Sequence, residues 1–223
     1  MGCKLTVEAT RPGSHHPNTL VLLGQLRGTE EEALAILGPA LGVAAPASRT
    51  VQARRYWDGQ CFLSDVGGPA RYQETSRYCG LFPERAVDEL FRRCRSWPGT
   101  TGEALFKMFQ AGGRIRAIAA QDSAFVHREA EWLTGTALVW TERDSSRRLR
   151  ANLAWQREFH DAMAELMGPG GSYQNFPDPG LRDAAVAYYG ANLARLREVK
   201  RAVDPTGTFT PPRGQGILAG ENA

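Results

Sequence analysis

Lysine is nearly missing from this chain: of 27 basic residues only Lys4, Lys107 and Lys200 are lysine, and the rest are arginine. With abundant Ala, Gly and Pro, that bias reads as GC-rich coding rather than as a chemical task. The formal net charge is only +3 and no block of like charge occurs, so the basic stripe interleaved with aromatics that nucleic-acid binding needs is absent. No apolar run approaches the ~20 residues of a membrane-spanning helix. The four cysteines (Cys3, Cys61, Cys79, Cys94) have no C-x-x-C spacing, and no secretory signal opens the chain, which predicts reduced, mostly buried thiols and a cytoplasmic protein. Gly2 and Cys3 formally match a lipidation pattern, but they run straight into an alternating strand. Metal-ligand spacing is missing: His15-His16 sit side by side without an acidic partner and read as solvated. No nucleophile elbow, Gly-x-Ser-x-Gly, is present. The one early glycine pair, Gly67-Gly68-Pro69, lacks the strand and spacing of a dinucleotide or phosphate loop.

What is present is an ordinary globular composition over 223 residues, 42% hydrophobic and 23% charged, enough for one good core or two small ones. Alternation predicts strands at Lys4–Ala9 and Thr19–Leu26, joined by a long turn-rich tip. Thr29-Glu30-Glu31-Glu32 is a capping box that opens a helix, with Gly38-Pro39 as its expected stop. Arg49–Tyr56 reads as extended, and an irregular stretch follows through Cys79. Pro83 starts a helix with Ala86, Val87, Leu90, Phe91 and Cys94 at i, i+3/i+4 spacing. Three strands are predicted next, Ala104–Gln110, Arg114–Ala120 and Trp132–Trp140, the first two joined through Gly112-Gly113. The rest reads as helical, with one stripe through Trp155, Phe159, Ala162, Met163 and Leu166 and another running from Leu181 to Val203. The fold class expected is α+β: an antiparallel sheet of about six strands with helices packed on one face, followed by a C-terminal helical segment.

The run Ser172-Tyr173-Gln174-Asn175-Phe176-Pro177-Asp178-Pro179-Gly180-Leu181 is followed by Tyr188-Tyr189-Gly190-Ala191-Asn192-Leu193-Ala194-Arg195-Leu196, then Val199-Lys200 and Asp204-Pro205-Thr206-Gly207-Thr208-Phe209. This succession resembles the C-terminal signature of the berberine-bridge and berberine-like FAD-linked oxidases. Upstream, Gly112-Gly113 and Ser123-Ala124-Phe125-Val126-His127-Arg128 resemble two further family elements, more weakly. The resemblance implies a substrate-binding-like α+β domain at 1–168, a berberine-like segment packed on it at 169–212, and a flexible tail at 213–223. It also implies FAD as cofactor. The N-terminal half that wraps FAD in this family has no counterpart in the sequence, so the chain would supply one wall of the flavin site.

By the same resemblance, Tyr173 and Asn175 face the flavin ring and substrate. The residues alone equally allow Tyr173 to be a packed aromatic and Asn175 to hold the following turn. Phe176 stands where many family oxidases carry a tyrosine base, and a phenyl ring exchanges no proton. The strand 132–140, which in relatives presents a carboxylate or amide to the substrate, offers only Thr134 and Thr136, with Glu131 at its edge as a substitute. Glu131 and His127 are the acid–base candidates, although His127-Arg128 also reads as a structural pair with Arg128 on carbonyls or on a carboxylate such as Glu129. His160 is expected on the solvent side of its helix. Three functions follow. The chain is the substrate-binding half of an FAD-linked oxidoreductase of secondary metabolism, with a separate FAD-binding polypeptide or a homodimer covering its exposed face. Alternatively it is a flavin-independent cyclase or isomerase that folds its substrate, or a non-catalytic binding protein. A small-molecule substrate is expected in the first two, with neither nucleic acid nor membrane as partner.

Overall fold

A computed structural model of the chain describes residues 2–64, 70–209 and 216–218. Gly67-Gly68-Pro69 and all but 216–218 of the expected tail at 213–223 lie outside the described residues. Among the described residues, five strands form one antiparallel sheet: β1 (Gly2–Glu8), β2 (Leu20–Gln25), β3 (Arg71–Cys79), β4 (Ala104–Gln110) and β5 (Trp132–Trp140). Their order is β2-β1-β4-β5-β3, so β3, early in sequence, is an outer strand paired along its whole length with β5.

The sheet is one strand short of the expectation, and the differences are local. Arg49–Tyr56 forms no strand; its Ala53 N–H donates instead to Glu30 Oε1 at 2.9 Å. Arg114–Ala120 is not a strand either. After Gly112 the chain enters a 3-10 turn over Gly113–Ala117, which Arg116 ties down by donating to the Glu129 carbonyl at 2.8 Å. Conversely β3 occupies the stretch that reads as irregular.

Among the described residues six α-helices accompany the sheet: α1 (Glu30–Val43), α2 (Tyr56–Leu63), α3 (Glu84–Arg95), α4 (Ser146–Met167), α5 (Ala184–Tyr189) and α6 (Leu193–Val203). The capping box at Thr29 and Glu32 forms as the sequence predicts, but α1 runs on through Pro39 to Val43. Helices α3 and α4 cover one face of the sheet. There Val7, Ala104, Phe106 and Leu138 meet Ala86, Leu90 and Cys94 of α3 and Trp155, Phe159 and Met163 of α4. Phe106 and Phe159 stack at 5.5 Å. A side chain as fully buried as Phe159 contributes about 2–3 kcal/mol by leaving water. Two polar residues fix the helix on the sheet: Gln156 Nε2 donates to the carbonyls of Gln73 and Thr136 at 3.1 and 2.7 Å. Asn152 accepts from Trp97 Nε1 at 2.7 Å. Such ties are needed because an unbonded amide in this layer would be strongly destabilising.

The C-terminal stripe is broken. Gly190, at φ +46, ends α5 and redirects the chain through a 3-10 turn into α6. Val203, an extension of the stripe in sequence, is therefore 75% exposed. Of the thiols, Cys79 and Cys94 are buried, Cys61 is exposed and Cys3 lies between, so burial is less general than expected. Among the described residues, no helix is long and apolar enough to cross a membrane.

Candidate substrate face of the sheet

Strand side chains alternate between faces, so the face opposite α3 and α4 is set by register. It carries Tyr72, Glu74, Ser76 and Tyr78 of β3, Leu133, Gly135 and Ala137 of β5, and Leu105, Lys107 and Phe109 of β4. Gly135 stands directly between Ser76 and Lys107, and Ala137 between Glu74 and Leu105. With nothing larger than a methyl on β5 there, Glu74 and Lys107 reach each other over the middle strand, Lys107 Nζ lying 3.4 Å from Glu74 Oε1. The Tyr72 hydroxyl donates to Glu74 Oε2 and accepts from Lys107 Nζ at 3.3 Å. The Glu74 side chain is 4% exposed and that of Lys107 13%.

Next along the same face is an aromatic patch. Tyr78, Ala111, Ala130 and Leu133 form its buried base, with Phe109, Phe125, Tyr173 and Phe176 packed against them. The C-terminal segment reaches this patch by running along the outer edge of β3. Tyr78 N–H donates to the Gly171 carbonyl at 2.9 Å, Ser172 Oγ donates to the Ser76 carbonyl at 2.8 Å, and Tyr173 N–H donates to Ser76 Oγ at 2.9 Å. This pairing occupies an edge that would otherwise be open.

The candidates from sequence fall in different places. Tyr173 and Asn175 are together: Asn175 Nδ2 donates to the Tyr173 hydroxyl at 2.9 Å. Phe176 packs edge-on to Tyr173 at 5.3 Å and against Phe109 at 5.8 Å. Thr134 and Thr136 are a correction. Both lie on the helix-packed face, each 2% exposed, because their register partners, Arg77 and Thr75, point the same way. The period of two that makes them polar neighbours also turns both away from the open face. Glu131 sits at the end of β5 in an ion pair with Arg116 at 2.7 Å. His127 stacks on Tyr78 at 4.2 Å and its Nε2 lies 3.0 Å from the Tyr188 carbonyl. Burial pushes its pKa down, against hydrogen bonds to the backbone of Tyr188 and Ser172 that act the other way. Arg128 donates to the carbonyls of Phe125 and Ile115 at 3.2 and 3.1 Å, so this pair holds the 113–128 loops together. His160 does not face solvent: it lines a narrow gap between α4 and the sheet with Thr75, Arg77 and Met163.

Sequence reasoning missed Glu74, Lys107 and Tyr72. The available signal was the alternation Tyr72, Glu74, Ser76, Tyr78. It reads as a strand face only once a carboxylate is allowed inside it.

The arrangement fits part of a flavin. The patch formed by Tyr78, Phe109, Tyr173 and Phe176 offers an aromatic surface of the kind one side of a flat ring system would contact. A phosphate cradle does not appear among the described residues, where no strand leads through a glycine-rich loop into a helix. Nor does any group of three or more His, Cys, Asp or Glu there suit a metal ion.

Residues 172–214 match the family model "Berberine and berberine like". The chain is 26% identical over 219 residues to the FAD-linked oxidoreductase YvdP of Bacillus subtilis, covering 96% of this chain and 46% of that protein. It is 28% identical over 200 residues to YgaK of the same organism, covering 86% and 42%. Its fold superimposes on berberine bridge enzyme from Eschscholzia californica with a TM-score of 0.79 at 16% identity, covering 97% of this chain and 48% of that one. The chain thus carries the berberine-like segment and resembles FAD-linked oxidoreductases over most of its length. The chain spans about half the length of the curated relatives it matches, and what it shares with the solved enzyme at that identity is the fold.

Proposed function

We propose that this berberine-bridge-like chain is the substrate-binding half of an FAD-linked oxidoreductase acting on a small molecule of secondary metabolism. A separate FAD-binding polypeptide holds the flavin. The observation that carries this reading is the open sheet face. There a buried Glu74–Lys107 pair adjoins the aromatic patch of Tyr78, Phe109, Tyr173 and Phe176, on a fold shared with FAD-linked relatives. A bound flavin would supply the electron acceptor. The chain's own residues bind and orient the substrate: Tyr173 and Phe176 by contact, and the Glu74 cluster by hydrogen bonding.

The test is the visible absorption spectrum of the chain co-expressed with a candidate FAD-binding partner. Flavin bands that co-elute with it are expected. One observation favours a second reading, a flavin-independent cyclase or isomerase. Phe176 is a non-titrating ring in the aromatic patch, and a reaction promoted by holding a substrate in a reactive fold needs shape and no base there. Turnover by the colourless chain without added FAD would overturn the first reading in favour of the second.

A further inference from the structure

The two outer strands of the sheet differ in their cover. The C-terminal segment occupies the free side of β3, through Gly171, Ser172 and Tyr173. On the free side of β2 no strand is paired among the described residues. The phase of its ladder shows which groups stand there. Glu8 N–H donates to the Thr19 carbonyl at 2.9 Å, and hydrogen-bonded pairs recur at every second residue of an antiparallel ladder. Val21, Leu23 and Gln25 therefore turn their backbone groups to β1, and Leu20, Leu22 and Gly24 turn theirs outward. Natural proteins commonly blunt such an edge with a lysine, a proline or a bulge. The run Leu20–Gln25 carries no charge and no proline, and its register with β1 is unbroken.

The side chains of this edge are open as well. Leu20 and Leu22 are the register partners of Val7 and Leu5, so they continue the helix-packed face whose core holds Val7. They are nevertheless 53% and 46% exposed, and Val21 on the other face is 51% exposed. Helix α2 borders the same strand, Gln60 Nε2 donating to Gln25 Oε1 at 3.2 Å, and its Tyr56, Trp57 and Phe62 are exposed too. β2, α1 and α2 contribute no buried residue. Leu20, Val21, Leu22 and the three aromatic residues together leave roughly 800 Å² open, about what one partner contributes to a stable interface.

We propose that the free edge of β2 is the interface of a two-fold dimer. β2 pairs antiparallel with β2 of a second copy, and one sheet runs through both chains. A two-fold axis at Leu22 satisfies all the outward backbone groups at once: Leu22 faces the partner's Leu22, and Leu20 faces the partner's Gly24. The strand suits pairing with itself. It has no charge that would select an oppositely charged partner, apolar Val21 and Leu23 flank Leu22 on either side, and Gly24 leaves room opposite a leucine. On the helix-packed face the second copy covers the two leucines that α3 and α4 leave exposed. The aromatic patch lies on β3, β4 and β5, towards the opposite edge. The dimer leaves it open, so the proposal stands or falls independently of a flavin partner.

The test is sedimentation velocity of the full 223-residue chain from low micromolar concentration upward, where a concentration-dependent dimer is expected. Leu22→Lys sets like charges directly opposite each other across the axis and should weaken dimerisation about tenfold or more, while circular dichroism shows the monomer still folded. Leu22→Cys puts thiols on facing residues with Cα atoms about 5.5 Å apart, within disulfide reach. Mild oxidation should therefore link two copies covalently. Leu20→Cys, which faces the partner's Gly24, should link no more than wild type does through its own Cys3 and Cys61. A wild-type chain that is monomeric throughout, or that associates only with another polypeptide, overturns the proposal. So does a folded Leu22→Lys variant that dimerises like wild type, or a Leu20→Cys variant that cross-links as readily as Leu22→Cys.

Discussion

Arg157, on the long helix α4, places one guanidinium nitrogen 2.8 and 2.9 Å from the two carboxylate oxygens of Asp178, a side chain only 1% exposed. The same aspartate accepts from Gly180 N–H at 2.9 Å, and its own backbone N–H donates to the buried Tyr188 hydroxyl at 3.1 Å. One signature residue thus ties the C-terminal segment to α4 and to α5.

Replacing Asp178 with asparagine should therefore destabilise the chain more than a surface change would. Breaking a buried pair from one side typically costs 3–5 kcal/mol, and the partial exposure of Arg157 lowers the expectation here to about 2–3 kcal/mol. Tyr188→Phe, which removes only one acceptor, should cost about 1 kcal/mol. Urea unfolding of both variants gives the comparison; equal losses would mean that the ion pair contributes nothing beyond the loop hydrogen bond.

Asn192 makes a second anchor by donating from Nδ2 to the carbonyls of Ala120 and Ser123 at 2.7 and 2.9 Å. Aspartate has the same shape but no donor, and it would set a negative oxygen against those two carbonyl oxygens. Asn192→Asp is expected to lose about 2 kcal/mol and to raise amide exchange across residues 120–128. Unchanged exchange there would show that the loop is held by other contacts.

Glu89 on α3 is held at a pKa of about 2, first by its hydrogen bond from Arg92, with a further one from Arg93. A carboxyl depressed by folding stabilises the native state above its ordinary value of 4.5, and that stability is lost as pH falls towards about 2. Glu89→Gln should flatten the acid limb of a stability-against-pH curve between those values and leave its upper part parallel to wild type. An unaltered acid limb would count against this assignment.

His127 behaves in the same sense for a different reason. Burial lowers its pKa below the ordinary histidine value of 6.5, so the unfolded chain takes up a proton more readily than the folded one. The stability linked to this group is present above the ordinary value and is lost as pH falls through the lower, folded one. His127→Gln should reduce the pH dependence on going from neutral to mildly acid buffer. A wild-type ring that titrates at its ordinary value, followed by NMR, would contradict the burial argument.

The helix-packed half of the fold was legible because hydrophobic period and burial coincide there. Ala86, Leu90 and Cys94, and Trp155, Phe159 and Met163, are buried as their stripes predict, whereas Val87 of the first stripe is 38% exposed. β3 was not legible, because both its faces carry polar residues: Thr75 and Ser76 are each 2% exposed or less, and Glu74 4%. Burying Glu74 depends on Lys107, two strands away, and no local pattern encodes that partner. Ile115 and Ile118 imitate a strand, yet the Ile115 carbonyl is claimed by Arg128 and the chain enters a 3-10 turn at Gly113. Tyr173 and Asn175 were read as a pair facing one way, and their hydrogen bond joins them. The choice of Thr134 and Thr136 failed on a single unit of register.

The run of Ser172 along β3 links residues 96 positions apart in sequence, and Asn192 closes a loop of 72. Closures of that length are entropically costly and reward the chain only when completed. During synthesis, therefore, β1, β4, β5 and α4 can already be assembled while the last stretch is still emerging. In that interval Tyr78, Phe109 and Leu133 stand uncovered, and the outer edge of β3 is free to pair with any passing strand. The C-terminal segment acts as the molecule's own late-arriving chaperone, and a chain cut short before Ser172 would keep that adhesive edge for good.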